Sequence, residues 1–75
     1  MVQDFYNKVA TEIRATYFPN ENHGTTTNQN YFKMLKSLED FNNGCLTYKM
    51  LINKLSKSCN VTTTEMREIL EKYFE

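Results

Sequence analysis

The sequence has few of the residue types that build catalytic centres. Its 75 residues include two glycines, two cysteines, one proline, one histidine and no tryptophan. It has no glycine-rich phosphate loop, no paired carboxylates in an apolar context, and no nucleophile with a base at recognisable spacing. The single histidine, His23, stands in a polar stretch without a cysteine, aspartate or second histidine at ligand spacing. We therefore expect no enzyme activity, no cofactor and no metal site.

An excess of charge and long apolar runs are also absent. Lysine and arginine together number nine, as do aspartate and glutamate, so the formal net charge is zero. No global field therefore draws the chain to nucleic acid or to an anionic membrane, and polyanion binding requires a local patch. No apolar run approaches the roughly 20 residues of a membrane-spanning helix. The N-terminus is amphipathic and carries acids, unlike a signal peptide. We expect a cytoplasmic protein without membrane contact.

The two cysteines are predicted to remain free thiols. Cys45 and Cys59 lie at opposite ends of a predicted helix over 47–58, which is about 18 Å long at the helical rise per residue. A disulfide allows its Cα atoms to be only about 7 Å apart. Free thiols are typical of a reducing compartment.

Apolar residues recur at helical spacing in four segments, and no segment alternates as a strand does. A hydrophobic share of 40% and an aromatic share of 13% are sufficient for a small core. The first helix is predicted over 3–17 and ends at Phe18-Pro19. The polar stretch 19–29 is predicted to be a flexible loop, and 30–75 to form a core of three helices. The fold class is therefore all-α, with four short helices in a single domain, 1–75.

The same spacing predicts which residues face the core. Gly44 is expected to cap the second helix in a left-handed conformation, and Thr47 to be the N-cap of the third. Because one face of the first helix is apolar, that helix packs either on the helices that follow or on a partner subunit. The predicted stripes are Val2, Phe5, Tyr6, Val9, Ala10, Ile13 and Tyr17 in the first helix; Phe32, Leu35, Leu38 and Phe41, with Tyr31 and Met34 beside them, in the second; Leu46, Met50, Leu51 and Leu55 in the third; and Met66, Ile69, Leu70, Tyr73 and Phe74 in the fourth.

A short turn is predicted between the third and fourth helices. Thr62 as N-cap and Glu65 three residues later form a capping box, in which each side chain accepts a hydrogen bond from the amide of the other residue. Val61 and Met66 complete a hydrophobic staple, which fixes the angle at which the chain enters the helix. Asn60 precedes the staple, and asparagine tolerates the left-handed backbone of a tight turn.

The segment from Ile52 to Glu71 resembles the helix-turn-helix of phage repressors, Cro proteins and many small bacterial regulators. That family has a small residue where the two helices cross, which is Ser56 here, and prefers glycine at the position of Asn60. If the second helix is the supporting helix, the resemblance extends over 30–74. The family's apolar positions are held here by Leu55, Cys59, Val61, Met66 and Ile69.

The resemblance implies that helix 62–74 enters the major groove of double-stranded DNA with its N-terminal residues at the base edges. Threonine hydroxyls can donate to phosphate or base, arginine can bind guanine in a bidentate manner, and glutamate can accept from cytosine. Lysines on the second and third helices are expected to contact phosphates, which position the protein without reading sequence. The reading positions are held by Thr62, Thr63, Thr64, Arg67, Glu68 and Glu71, and the phosphate contacts by Lys33, Lys36, Lys54 and Lys57.

We therefore expect a small DNA-binding regulator of phage or mobile-element origin. Its homodimer would match a palindromic site, through a subunit contact at the first helix or at Tyr73-Phe74. The alternative is a helical protein-interaction module, such as an anti-repressor, an anti-defence protein or an assembly factor, which binds a protein partner through its acidic last helix. A plainer interpretation of the same residues is that the lysines are solvated helix faces and that the exposed surface of the last helix carries the ion pairs Arg67–Glu71 and Glu68–Lys72.

Overall fold

Four helices make up the regular structure of the residues that the computed structural model describes, 3–21 and 27–73. They are α1 (Gln3–Tyr17), α2 (Gln29–Asn42), α3 (Tyr48–Cys59) and α4 (Thr63–Glu71). No strand occurs in these two ranges, so the predicted all-α class with four short helices is confirmed. The predictions for Val2, His23 and Phe74, and for residues 22–26 of the predicted loop, fall outside the described ranges.

The turn between α2 and α3 has the predicted capping residues at both ends. Gly44 has a positive φ of 81°, and its amide donates to the carbonyl oxygen of Phe41 at 3.0 Å. The amide of Cys45 donates to the carbonyl oxygen of Asp40 at 2.7 Å, which completes a Schellman motif. The Thr47 hydroxyl then accepts from the amide of Met50 at 3.2 Å and caps α3. Both predicted caps are confirmed.

A second Schellman motif joins α3 to α4. Asn60 adopts the left-handed conformation, with φ 59° and ψ 47°. Its amide donates to the carbonyl oxygen of Lys57 at 3.3 Å, and the amide of Val61 donates to that of Ser56 at 3.0 Å. Ser56, the small residue expected where the helices cross, is buried. The predicted turn and its left-handed residue are confirmed.

The start of α4 forms only part of the predicted capping box. The Thr62 hydroxyl accepts from the amide of Glu65 at 3.1 Å, as predicted. Between these two described residues the reciprocal bond, from the Thr62 amide to the Glu65 carboxylate, is not formed. Val61 packs against the core cluster that contains the buried Met66, as the staple predicts.

Replacement of Asn60 by valine is expected to lower the free energy of unfolding by about 1–2 kcal/mol. The left-handed conformation brings the Cβ atom too close to the following carbonyl oxygen, and a β-branched residue tolerates it worst. Glycine at the same position is expected to leave stability nearly unchanged. Urea denaturation of the two variants measures the difference, and equal midpoints for valine and glycine would contradict the left-handed turn.

Contacts between aromatic rings show how α1 lies on α2. At the start of α1, the ring centroid of Phe5 lies 5.7 Å from that of Phe41, near the end of α2. Just beyond the end of α1, the ring of Phe18 meets the ring of Tyr31, at the start of α2, edge to face at 5.5 Å. The two helices therefore run antiparallel. α3 packs on α2, and α4 packs on α3.

The apolar face of α1 is buried inside the same chain. Phe5, Val9 and Ile13 are all at most 4% exposed, in one cluster with residues of the other three helices. The structure thus has the first of the two predicted arrangements, in which α1 packs on the helices that follow it in the same chain. The first helix therefore has no apolar stripe left for the subunit contact expected there. The core consists of Phe5, Val9, Ile13, Phe18, Tyr31, Met34, Leu35, Leu38, Leu51, Ile52, Leu55, Met66 and Leu70.

Two residues predicted to face inward are exposed instead. Phe32 is 44% exposed and Met50 is 46% exposed, so their assignment to the inward stripes is wrong. One residue along a helix rotates the side chain by about 100°. The buried faces follow Tyr31 in α2 and Leu51 with Ile52 in α3, which turns the neighbouring Phe32 and Met50 outward.

The two cysteines are free, as predicted, and differ in exposure. Cys45 is exposed, whereas Cys59 is half-buried at the end of α3. Burial raises the pKa of the Cys59 thiol to about 12. The thiolate is the reactive form of cysteine.

Alkylation of the folded protein is therefore expected to modify Cys45 well before Cys59. A thiol whose pKa is about 12 has about one part in 10⁴ as thiolate at pH 8. Mass spectrometry of the digested protein gives the two rates separately, and both thiols should react in denaturant. Equal rates in the folded protein would contradict the burial of Cys59.

Candidate nucleic-acid interface

A groove of about 570 Å³ lies between α2 and α3. All four lysines predicted to contact phosphate line it, and we call them the groove lysines: Lys33 and Lys36 on α2, and Lys54 and Lys57 on α3. The structure therefore brings together side chains that two separate helices supply. The complete lining is Asn30, Phe32, Lys33, Lys36, Ser37, Asp40, Lys54, Lys57 and Ser58.

The convergence of the groove lysines follows from helical geometry and from the short turn between α2 and α3. Lys33 and Lys36 are three residues apart, as are Lys54 and Lys57, so each pair lies on one helical face about one turn apart. After the short turn α3 packs on α2, and the groove is lined by α2 residues together with residues from the second half of α3. The two pairs then face each other across the groove.

The charge of the groove lysines is only partly neutralised. Lys36 lies 3.1 Å from the carboxylate of Asp40 and 4.0 Å from that of Glu39. The hydrogen bond to Asp40, aided by the charges of both carboxylates, raises the pKa of Lys36. Within the described residues, Lys33, Lys54 and Lys57 have no carboxylate at ion-pair distance. The groove therefore carries positive charge that suits phosphate groups.

Phe32 gives the groove an exposed apolar surface beside the lysines. It lines the groove next to Lys33, and Lys36 lies one helical turn further on. Ser37, also in the lining, is buried, and its hydroxyl donates to the carbonyl oxygen of Lys33 at 2.8 Å. Sequence reasoning missed Phe32 as a groove residue because its spacing also fits the inward stripe of α2.

The threonines predicted to read bases lie at the beginning of α4. Thr62, Thr63 and Thr64 are all exposed, and the Thr62 hydroxyl already accepts the capping bond. They follow directly after the end of α3 that carries Lys57. The start of α4 therefore lies at the same end of α3 as the groove.

Two charged reading residues further along α4, Arg67 and Glu71, act electrostatically on the opposite end of α3. Burial raises the pKa of Tyr48, the charge of Glu71 raises it further, and the charge of Arg67 opposes both. Both charged side chains therefore lie near the Tyr48 hydroxyl, at the start of α3. Lys57 is about 14 Å along α3 from Tyr48 at the helical rise per residue. Of the predicted reading residues, the threonines therefore begin at the groove end of α3, whereas Arg67 and Glu71 are absent from the groove lining.

The ion pairs predicted along the exposed face of α4 are not formed in the described part of the chain. Lys72 pairs with Glu12 on α1 instead of Glu68, and the Tyr73 hydroxyl donates to the same carboxylate. Burial alone would raise the pKa of Glu12, but the hydrogen bonds from Lys72 and Tyr73 lower it overall. These contacts hold the end of α4 against α1, and α4 keeps an exposed row of glutamates.

The fold and the groove together define a small all-α protein with a basic groove between α2 and α3. Comparison of the chain with protein-family models, with curated proteins and with solved structures finds no match in any of the three. Across the described residues, the helices fall short of the length and apolarity needed to cross a membrane.

Proposed function

We propose that this protein is a small DNA-binding regulator whose α2–α3 groove holds the phosphate backbone of double-stranded DNA. The observation that carries the proposal is the convergence of the four groove lysines on one groove. Neutralising several phosphates with clustered cations releases counterions, which supplies most of the non-specific affinity for DNA. A neutral chain needs such a local cluster to bind a polyanion.

The start of α4 adds donors beside this groove. The Thr63 and Thr64 hydroxyls are exposed and suit phosphate oxygens or base edges. Arg67 is exposed further along α4, and its guanidinium is suited to guanine. In this proposal the groove lysines supply affinity and α4 supplies sequence preference.

Two measurements test the proposal. The fluorescence anisotropy of a labelled random duplex should rise as the protein is added at low salt, and a flat signal would contradict DNA binding.

In a binding-site selection, Arg67→Ala should relax the sequence preference at one base position. The binding free energy should become less favourable by about 1–3 kcal/mol. An unchanged preference would show that α4 does not read bases.

A second candidate function is supported by the charge of α4. Glu65, Glu68 and Glu71, which we call the α4 acids, are exposed and have no ion-pair partner among the described residues. Such a row suits a basic protein partner. If this is the function, a lysine-rich helical peptide should bind, Glu68→Lys should abolish that binding, and the random duplex should remain unbound.

A further inference from the structure

Two exposed sets of charge of opposite sign lie on different helices of this chain. The groove lysines line the gap between α2 and α3, whereas the α4 acids lie on the exposed side of α4. In the described residues, Lys33, Lys54 and Lys57 make no ion pair with any acid, and the α4 acids make none with any cation. Each set therefore keeps its charge available to a second molecule.

The spacing of the two sets matches. Lys54 and Lys57 are three residues apart on α3, and Glu65 and Glu68 are three residues apart on α4. At the helical rise per residue, each pair spans about 4.5 Å along its helix axis. A helix laid beside α3 can therefore bring two carboxylates opposite two ammonium groups. Phe32 offers an apolar surface in the same groove for the methylene groups of the glutamates.

The two sets do not meet within one chain. α4 packs on α3, while the residues that line the groove come from α2 and α3. The end of α4 is held against α1 by the contacts of Lys72 and Tyr73 with Glu12. The acids of one copy can consequently reach only the groove of another copy.

We infer that the groove is a docking surface for a second copy of this chain, whose α4 acids face the groove lysines. The formal net charge of zero fits a surface that is complementary to itself. If each copy places its α4 in the groove of the other, the same contact forms twice. The assembly is then a closed, two-fold symmetric dimer. The inference stands without DNA binding. If DNA also binds, dimer and DNA use the same lysines and therefore compete.

Sedimentation velocity in the absence of DNA tests the inference. The full chain should sediment as a dimer at about 0.1 M salt and as a monomer at about 1 M, where the Debye length shortens from about 10 Å to about 3 Å. Lys57→Glu alone and Glu68→Lys alone should each weaken the association by about tenfold or more, because like charges then face each other.

Mixing the two variants separates a specific contact from a folding defect. Lys57→Glu and Glu68→Lys carry opposite charges at the two proposed contact positions, so an equimolar mixture should recover the association that each has lost alone. Lys49→Glu places the same charge on α3 at an exposed position outside the groove lining and should associate like the original protein. A monomer at all concentrations, or a mixture that stays monomeric, would overturn the inference. Binding of the original protein to a labelled duplex is measured separately, so a failure of the dimer inference can be told apart from a failure of DNA binding.

Discussion

Replacing Lys54 and Lys57 together by alanine is expected to weaken binding to double-stranded DNA by about 60-fold at about 0.1 M salt. Each phosphate contact releases about 0.9 of a counterion, which contributes about eightfold at that concentration. The slope of the logarithm of affinity against the logarithm of salt should also become shallower by about two. Both changes should be the same for duplexes of different sequence, because phosphate contacts do not read bases. Fluorescence anisotropy titrations over a range of salt measure both quantities.

The chain offers a matched control for this pair. Lys8 on α1 and Lys49 on α3 are exposed, and neither lines the groove. The double replacement of Lys8 and Lys49 by alanine removes the same net charge and should change the affinity by less than about twofold, since neither side chain lines the groove that holds the phosphates. Equal losses of affinity in the two double variants would show that DNA binding depends only on the net charge of the protein. That result would contradict a specific role for the groove.

Replacement of Ile13 by alanine is expected to lower the free energy of unfolding by about 2–5 kcal/mol. The Ile13 side chain on α1 is fully buried in the core cluster, so alanine leaves a cavity as well as losing apolar burial. A chain of 75 residues has a total stability of only about 4–11 kcal/mol at typical values per residue. This single change should therefore remove a large part of it, as measured by urea denaturation.

The dependence of stability on protein concentration distinguishes packing of α1 within its own chain from packing of α1 against a partner subunit. Since α1 is buried within its own chain, the loss caused by Ile13→Ala should be the same at low and high protein concentration. Thr11→Ala, at an exposed position of the same helix, should change stability by less than about 0.5 kcal/mol. A loss that grows as the protein is diluted would place the apolar face of α1 in a subunit interface.

The features that the sequence predicted correctly depend on neighbouring residues. The left-handed Asn60 and the N-caps Thr47 and Thr62 are determined by backbone and side-chain chemistry within one turn of chain. Helical spacing likewise predicted the four helices, because an amphipathic stripe records the buried face of each helix. Interactions between residues close in sequence are therefore sufficient to predict the all-α fold class.

The features that the sequence did not predict depend on which helix packs where. Tyr31 and Phe32 both fit an inward stripe, and only the position of α1 and α3 against α2 decides that Phe32 is the exposed one. The contact of Lys72 with Glu12 joins residues near opposite ends of the chain. Lys72 therefore pairs with a residue far away in sequence and not with Glu68, the partner expected on α4.

The candidate site was predicted as a set of residues and not as an arrangement. The four groove lysines were named as phosphate contacts because of the helix-turn-helix resemblance, and the structure brings them into one groove. Arg67 was predicted as a base reader on α4; it is absent from the groove lining, and its charge acts on Tyr48 at the other end of α3. Periodicity identifies a helical face, but only the packing of α2 on α3 shows which faces meet.

The salt dependence of binding to a random duplex tests the central claim most directly. Three of the groove lysines, Lys33, Lys54 and Lys57, make no ion pair with any acid of the described residues. Three phosphate contacts predict a slope of about −3 for the logarithm of affinity against the logarithm of salt, per bound chain. We expect that slope, reduced by about one for each of these three lysines replaced by alanine. A slope near zero, or no binding at the lowest salt, would contradict it.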